Sequence, residues 1–260
     1  MLGKLIKHEF RATGRILLPL YMVCMILAFI IRGTEMLQNS GILFTSFLTV
    51  IYIVIMISVV VATFFLMIFR FWKNLLGEEG YLSMTLPVTV TQHIVSKAIV
   101  TGIWSVFGGM IVIVSMFIMT MNADMVQSIN SIWSAVSTVF SGVDTTGVKI
   151  LVAVAIILQA FVQPLYFYAS MSIGQLVSKY RGILSIGAYL MISTVSSFIS
   201  GLYYGIFGNE TDIMNQQMSA EAMTSYVSIN MFGSIINLVI MGTICFFITK
   251  YILSKKLNLQ

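Results

Sequence analysis

From residue 42 to residue 69 the chain carries no Asp, Glu, Lys or Arg. As a helix rising 1.5 Å per residue, that run is about 40 Å long, more than the roughly 30 Å hydrocarbon core of a bilayer. In lipid, every backbone N–H and C=O must find its partner within the chain, so such a run is confined to a membrane-crossing helix. Five further apolar runs follow the same logic. The expected fold is all-α and polytopic, with six transmembrane helices at about 16–31, 42–69, 98–121, 148–173, 183–207 and 231–248 in one transmembrane domain over 1–260. Composition closes off a soluble alternative: 58% of residues are hydrophobic, 9% are charged and the mean hydropathy is +0.99. That is more apolar surface than a soluble core of this length can hide.

The run at 16–31 is short, so Arg15 and Arg32 are expected to snorkel from its ends, whereas 42–69 is long enough to tilt. Residues 1–15 place Leu2, Leu5, Ile6 and Phe10 on one helical face and Lys4, Lys7, His8, Arg11 and Arg15 around the rest. This pattern predicts an amphipathic helix lying in the membrane interface, followed by an uncleaved first span. A second interfacial helix is predicted within 122–147, where Val126, Ile129, Trp133, Val136 and Phe140 recur at helical spacing. In the fifth span Ser193, Ser197, Gly201 and Gly205 form a ridge of small residues suited to close helix packing. The glycines and tyrosines at 201–208 raise the prospect of a broken or re-entrant segment.

Charge sets the orientation. With both termini in the cytoplasm, every Lys and Arg of the 14 falls inside except Arg32 and Lys149. Most acids, Glu35, Asp124, Asp144, Glu210, Asp212 and Glu221, fall outside, in the extracellular segments 122–147 and 209–230 and near the first loop. The net charge of +5 therefore reports topology rather than nucleic-acid binding.

Several chemistries are excluded. Cys24 and Cys245 sit in apolar runs as small packers, and His8 and His93 lack the spacing of a metal site. The glycines of 142–147 have phosphate-loop spacing, but Val148 stands where the lysine must be. No ionisable group lies well inside a span, which disfavours a proton relay, and no nucleophile–base constellation is present. The chain is expected to have no catalytic residues, no metal and no cofactor of its own.

The most specific stretch is the polar loop at 70–97, RFWKNLLGEEGYLSMTLPVTVTQHIVSK, between spans two and three. Glu78 and Glu79 can accept hydrogen bonds from basic groups of a docking protein, Gly80 permits a tight turn, and Tyr81, Leu82 and Met84 offer an apolar anchor. Thr89 and Gln92 have the spacing of a capping box that starts the helix into span three. The positions Glu78 or Glu79, Gly80, Tyr81, Leu82, Leu86, Pro87 and Lys97 resemble the coupling region of type 2 ABC exporter permeases, and residues 1–15 look like the helix preceding their first span. The resemblance implies a cytoplasmic coupling loop at 70–97 that docks a separate ABC ATP-binding subunit, where ATP and magnesium act. It also implies a second copy, or a similar permease, as partner. The expected setting is the plasma membrane of a bacterium, and the expected cargo is amphipathic: an antimicrobial peptide, a drug or a lipid. The substrate pathway is assigned to Gln159 and Gln163 in span four and Tyr52, Ser58 and Thr63 in span two. Two other classes remain open from the residues alone, an ion-coupled secondary carrier and a membrane sensor or scaffold.

Overall fold

A computed structural model describes residues 2–36, 42–77, 80, 85, 88–119, 145–177, 180–207 and 220–255. They form six long helices: α1 (Leu2–Met36), α2 (Ile42–Phe71), α3 (Val90–Met119), α4 (Thr145–Gly174), α5 (Arg181–Phe207) and α6 (Ala220–Lys255). All six are long and apolar enough to cross a membrane, and there is no strand among the described residues. The chain is a multi-pass membrane protein. Its surface agrees: Phe65, Ile113, Ile183, Met191 and Ile206 are each more than 60% exposed, a cost that water would exact and hydrocarbon does not.

The helices form two halves. In the first, α1, α2 and α3 enclose a core of Leu17, Tyr21, Cys24, Val59 and Trp104. In the second, α4, α5 and α6 close over Val162, Tyr166, Ala169, Met241 and Cys245. Where lipid is as apolar as the side chains, close fit and hydrogen bonds hold helices together. The first half has Tyr21 Oη 3.1 Å from Thr63 Oγ1 and Tyr52 Oη 2.8 Å from Ser115 Oγ. In the second, the Asn237 amide donates to Ser196 Oγ at 3.1 Å and Ser200 Oγ at 2.8 Å.

The halves are joined by α3 against α4, and at one end by a third core of Phe71, Leu75, Leu76, Ile94, Tyr168 and Leu253. Phe71 and Tyr168 stack there with ring centroids 3.9 Å apart and planes 8° from parallel. Gly102 makes the α3–α4 approach possible, because any Cβ at that position would run into the Phe161 ring.

Three expectations need correcting. Residues 2–15 are helical, but no break separates them from the first span: α1 is one helix of 35 residues. Gly14 does not end it, because Gly14 serves as the notch that seats Trp104, whose ring carbon lies 3.2 Å from where a Cβ would stand. At the other end of the chain α6 begins at Ala220, so the polar segment at 209–230 is in its second part an extension of the last helix. Nor is α5 broken at its glycines; it runs to Phe207. Among the described residues nothing approaches a Cβ at Gly201 or Gly205 of the α5 ridge within 4 Å. The interfacial helix expected in 122–147 lies outside the described residues, apart from the first turn of α4.

Candidate functional site

The capping box expected at the start of α3 is present. The Thr89 amide donates to Gln92 Oε1 and the Gln92 amide to Thr89 Oγ1, both at 3.4 Å. The first gives a partner to an N–H at the helix start, and the second adds to the bond that the Gln92 amide makes to the Thr89 carbonyl at 2.9 Å. Two turns further, Lys97 projects from α3 into the protein, with only 5% of its side chain exposed.

A buried ammonium needs a counter-charge, and it comes from the far end of the sequence. Lys97 Nζ lies 2.6 Å from Glu9 Oε1 on α1, and Arg70 Nε, at the end of α2, lies 3.1 Å from Glu9 Oε2. Glu9 is itself 13% exposed. Each carboxylate oxygen thus takes one cation, and three helices meet at a single charged group. One turn along α1, Thr13 Oγ1 donates to the Glu9 carbonyl at 2.8 Å. Phe10 stacks on Trp104 of α3 at 4.7 Å, so the N-terminal part of α1 is fixed against α3 by charge and by ring contact together.

Beside the ions lies a cavity of about 20 Å³ that Thr101 and Tyr168 also line. It is near the size that holds one water molecule. Tyr168, fully buried, is 3.1 Å through its hydroxyl from Thr101 Oγ1, which links α4 to the same cluster. The joint between the two halves and the ionic cluster are therefore one continuous structure.

This cluster brackets the 70–97 loop. Arg70 is the penultimate residue of α2, and Lys97 is the residue at which α3 enters its apolar run. Past Arg70 the backbone widens over Trp72–Leu76 into a turn in which the Gly77 amide reaches back to the Trp72 carbonyl at 2.7 Å. That wider turn aims Leu75 and Leu76 into the core that joins the halves, where both are buried. The Gly80 amide bonds the Gly77 carbonyl at 2.8 Å. Of the expected docking residues, Gly80 is described and buried. Glu78, Glu79, Tyr81, Leu82 and Met84 lie outside the described residues.

The five pathway residues fall into two environments. On α4, Gln159 is exposed and donates to Gln163 Oε1 at 2.9 Å; Gln163 in turn donates to Tyr189 Oη of α5 at 3.0 Å. Phe167 stacks on Tyr189 at 4.5 Å and continues the row. On α2, Tyr52 and Thr63 are 2% and 5% exposed and spend their hydroxyls on Ser115 and Tyr21 inside the first half. Ser58 returns its hydroxyl to the Val54 carbonyl of its own helix at 2.8 Å. No hydrogen bond among the described residues joins the α2 groups to those of α4.

The sequence pattern marks Arg70 and Lys97 as cytoplasmic charges, and Lys97 also as part of the coupling-region resemblance, but it does not show that they converge on Glu9. The available signal was that Glu9 is the lone acid of a basic N-terminal segment. No family model matches the chain, and no curated protein or solved structure matches it either.

Proposed function

We propose that this chain is the permease subunit of an ATP-driven exporter of the type 2 ABC class, moving an amphipathic substrate with energy from a separate ATP-binding subunit docked on the 70–97 loop. The observation that carries the reading is the ionic clasp: both stems of the loop, at Arg70 and Lys97, are tied to Glu9 of α1. A loop that merely connects two spans needs no such bracing. A loop that receives force does, because a push on it reaches α1, α2 and α3 together, and α4 through Phe71 and Tyr168.

In this reading both termini face the cytoplasm of a bacterium and the permease works as a pair, with itself or with a similar chain. Gln159 and Gln163 supply the few amides of an otherwise greasy pathway, as befits a peptide, drug or lipid cargo. The test is extrusion of a fluorescent cationic amphiphile from loaded cells. Efflux that requires this chain, stops when the partner ATPase is inactivated and persists when ion gradients are collapsed supports the exporter. Efflux that follows the ion gradient and ignores the ATPase overturns it.

A further inference from the structure

Beyond the clasp, the structure contains a second and much larger space, a cleft of about 350 Å³ at the loop end of the helices. Phe167, Ser170 and Met171 of α4 form its floor. Ile68 of α2 and Trp72 of the wider turn that follows it make one wall, and Arg181, Ser185, Ile186 and Tyr189 of α5 the other. The volume lies in the range of small-ligand sites and accommodates about a dozen water-sized groups.

Three features identify its occupant. The walls belong to helices whose outward faces are apolar and exposed, with Trp72 at 46% and Ile186 at 64%, so the cleft opens where hydrocarbon lies. Among the described residues its only charged lining group is a cation, Arg181, itself exposed at the start of α5. Trp72 and Tyr189 add the amphipathic rings that favour the boundary between headgroups and chains. Apolar walls, one cation and an interfacial position together fit a molecule with a fatty chain and a single anionic head.

We propose that this cleft is a binding site for an acidic phospholipid of the surrounding bilayer, with the acyl chain between α2 and α5 over Phe167 and the phosphate against Arg181. The Gln175 amide, also in the lining, offers further N–H donors to the phosphate. Basic pockets between membrane helices recognise acidic headgroups in this way. Because the wider turn at Trp72–Leu76 forms part of the wall, a lipid seated here also rests against the stem of the 70–97 loop. The site stands independently of what powers transport.

Trp72 is the built-in reporter. The purified chain is placed in phosphatidylcholine vesicles in which the same minor fraction of lipid is either brominated phosphatidylglycerol or brominated phosphatidylcholine, and tryptophan quenching is followed. The expected result is an apparent affinity about fivefold higher for the acidic lipid, the scale of one basic residue at a membrane surface. The headgroup-selective part of the quenching is lost in Trp72→Phe, and the preference disappears in Arg181→Gln. Equal quenching by both lipids in the wild type means ordinary surrounding lipid only and overturns the proposal, as does a preference undiminished by Arg181→Gln. If Arg181→Gln does not fold, mass spectrometry of the intact wild-type protein after detergent washing decides. Retained phosphatidylglycerol supports the site, and loss of all lipid or indifferent retention of both headgroups refutes it.

Discussion

Glu9 and Lys97 are separated by 88 positions in the sequence and by 2.6 Å in space. Their contact joins the first helix to the third where the chain returns from its central loop, and Arg70 completes it from the second. Removing one member of a buried ion pair leaves the other charged and unsolvated, at a cost of about 3–5 kcal/mol. Glu9→Gln is therefore expected to lower the thermal midpoint in detergent by roughly 5–15 °C. Adding Lys97→Met, which removes one of the two cations that Glu9 no longer balances, restores part of that loss. Circular dichroism melts of the single and double variants check it; a Glu9→Gln midpoint within a degree of the wild type contradicts the buried pair.

The joint between the two halves rests on Phe71 against Tyr168 and on Tyr168 with Thr101. A double-mutant cycle with Phe71→Leu and Tyr168→Leu should give a coupling of about 0.5–1.5 kcal/mol, the range for stacked rings beyond their area. Tyr168→Phe keeps the stack and loses only the hydroxyl bond, costing about 1 kcal/mol. Equilibrium unfolding in mixed detergent reads both.

Gly102 is the position where α3 comes closest to the Phe161 ring. Gly102→Ala is expected to destabilise by about 1–3 kcal/mol through overpacking, and Phe161→Leu in the same chain should recover part of the loss. A Gly102→Ala variant as stable as the parent would mean that the two helices stand further apart than the structure has them.

The α5 ridge makes the opposite prediction. With open space at Gly201 and Gly205 among the described residues, Gly201→Leu and Gly205→Leu should leave the stability of the isolated chain within about 0.5 kcal/mol of the parent, as for other surface positions. A loss of more than about 2 kcal/mol in the monomer would show that α5 uses this ridge within its own chain, contrary to the packing seen.

What could be read in the sequence divides along physical lines. The six helices were plain because an apolar run in lipid has one solution, and the cap at Thr89 and Gln92 because a capping box is a local bond between near neighbours. Helix ends were not plain. Polarity marks where a span leaves the hydrocarbon and says nothing about where hydrogen bonding stops, so α1 and α6 run well past their apolar parts. The glycines of α5 suggested an interruption by composition, yet the helix continues through them, with open space around Gly201 among the described residues. The clasp was hidden for a different reason. Nothing in the spacing of Glu9, Arg70 and Lys97 encodes their meeting, which follows only from how α1 lies against α2 and α3. Gln159 and Gln163, four residues apart on α4, bond one another, but their third member, Tyr189, belongs to another helix and is not visible from that spacing.

The central claim is that the 70–97 loop receives an ATP-binding subunit, and it is tested most directly by purifying the chain in mild detergent from its own cells, as wild type and as Glu79→Arg. The account predicts a co-purifying ATP-binding protein at a fixed ratio to the wild type. It also predicts that this protein is lost from Glu79→Arg, while the variant's own yield and thermal midpoint stay unchanged. A wild-type chain that comes out with no ATP-binding protein, or a partner held equally well by Glu79→Arg, would contradict it.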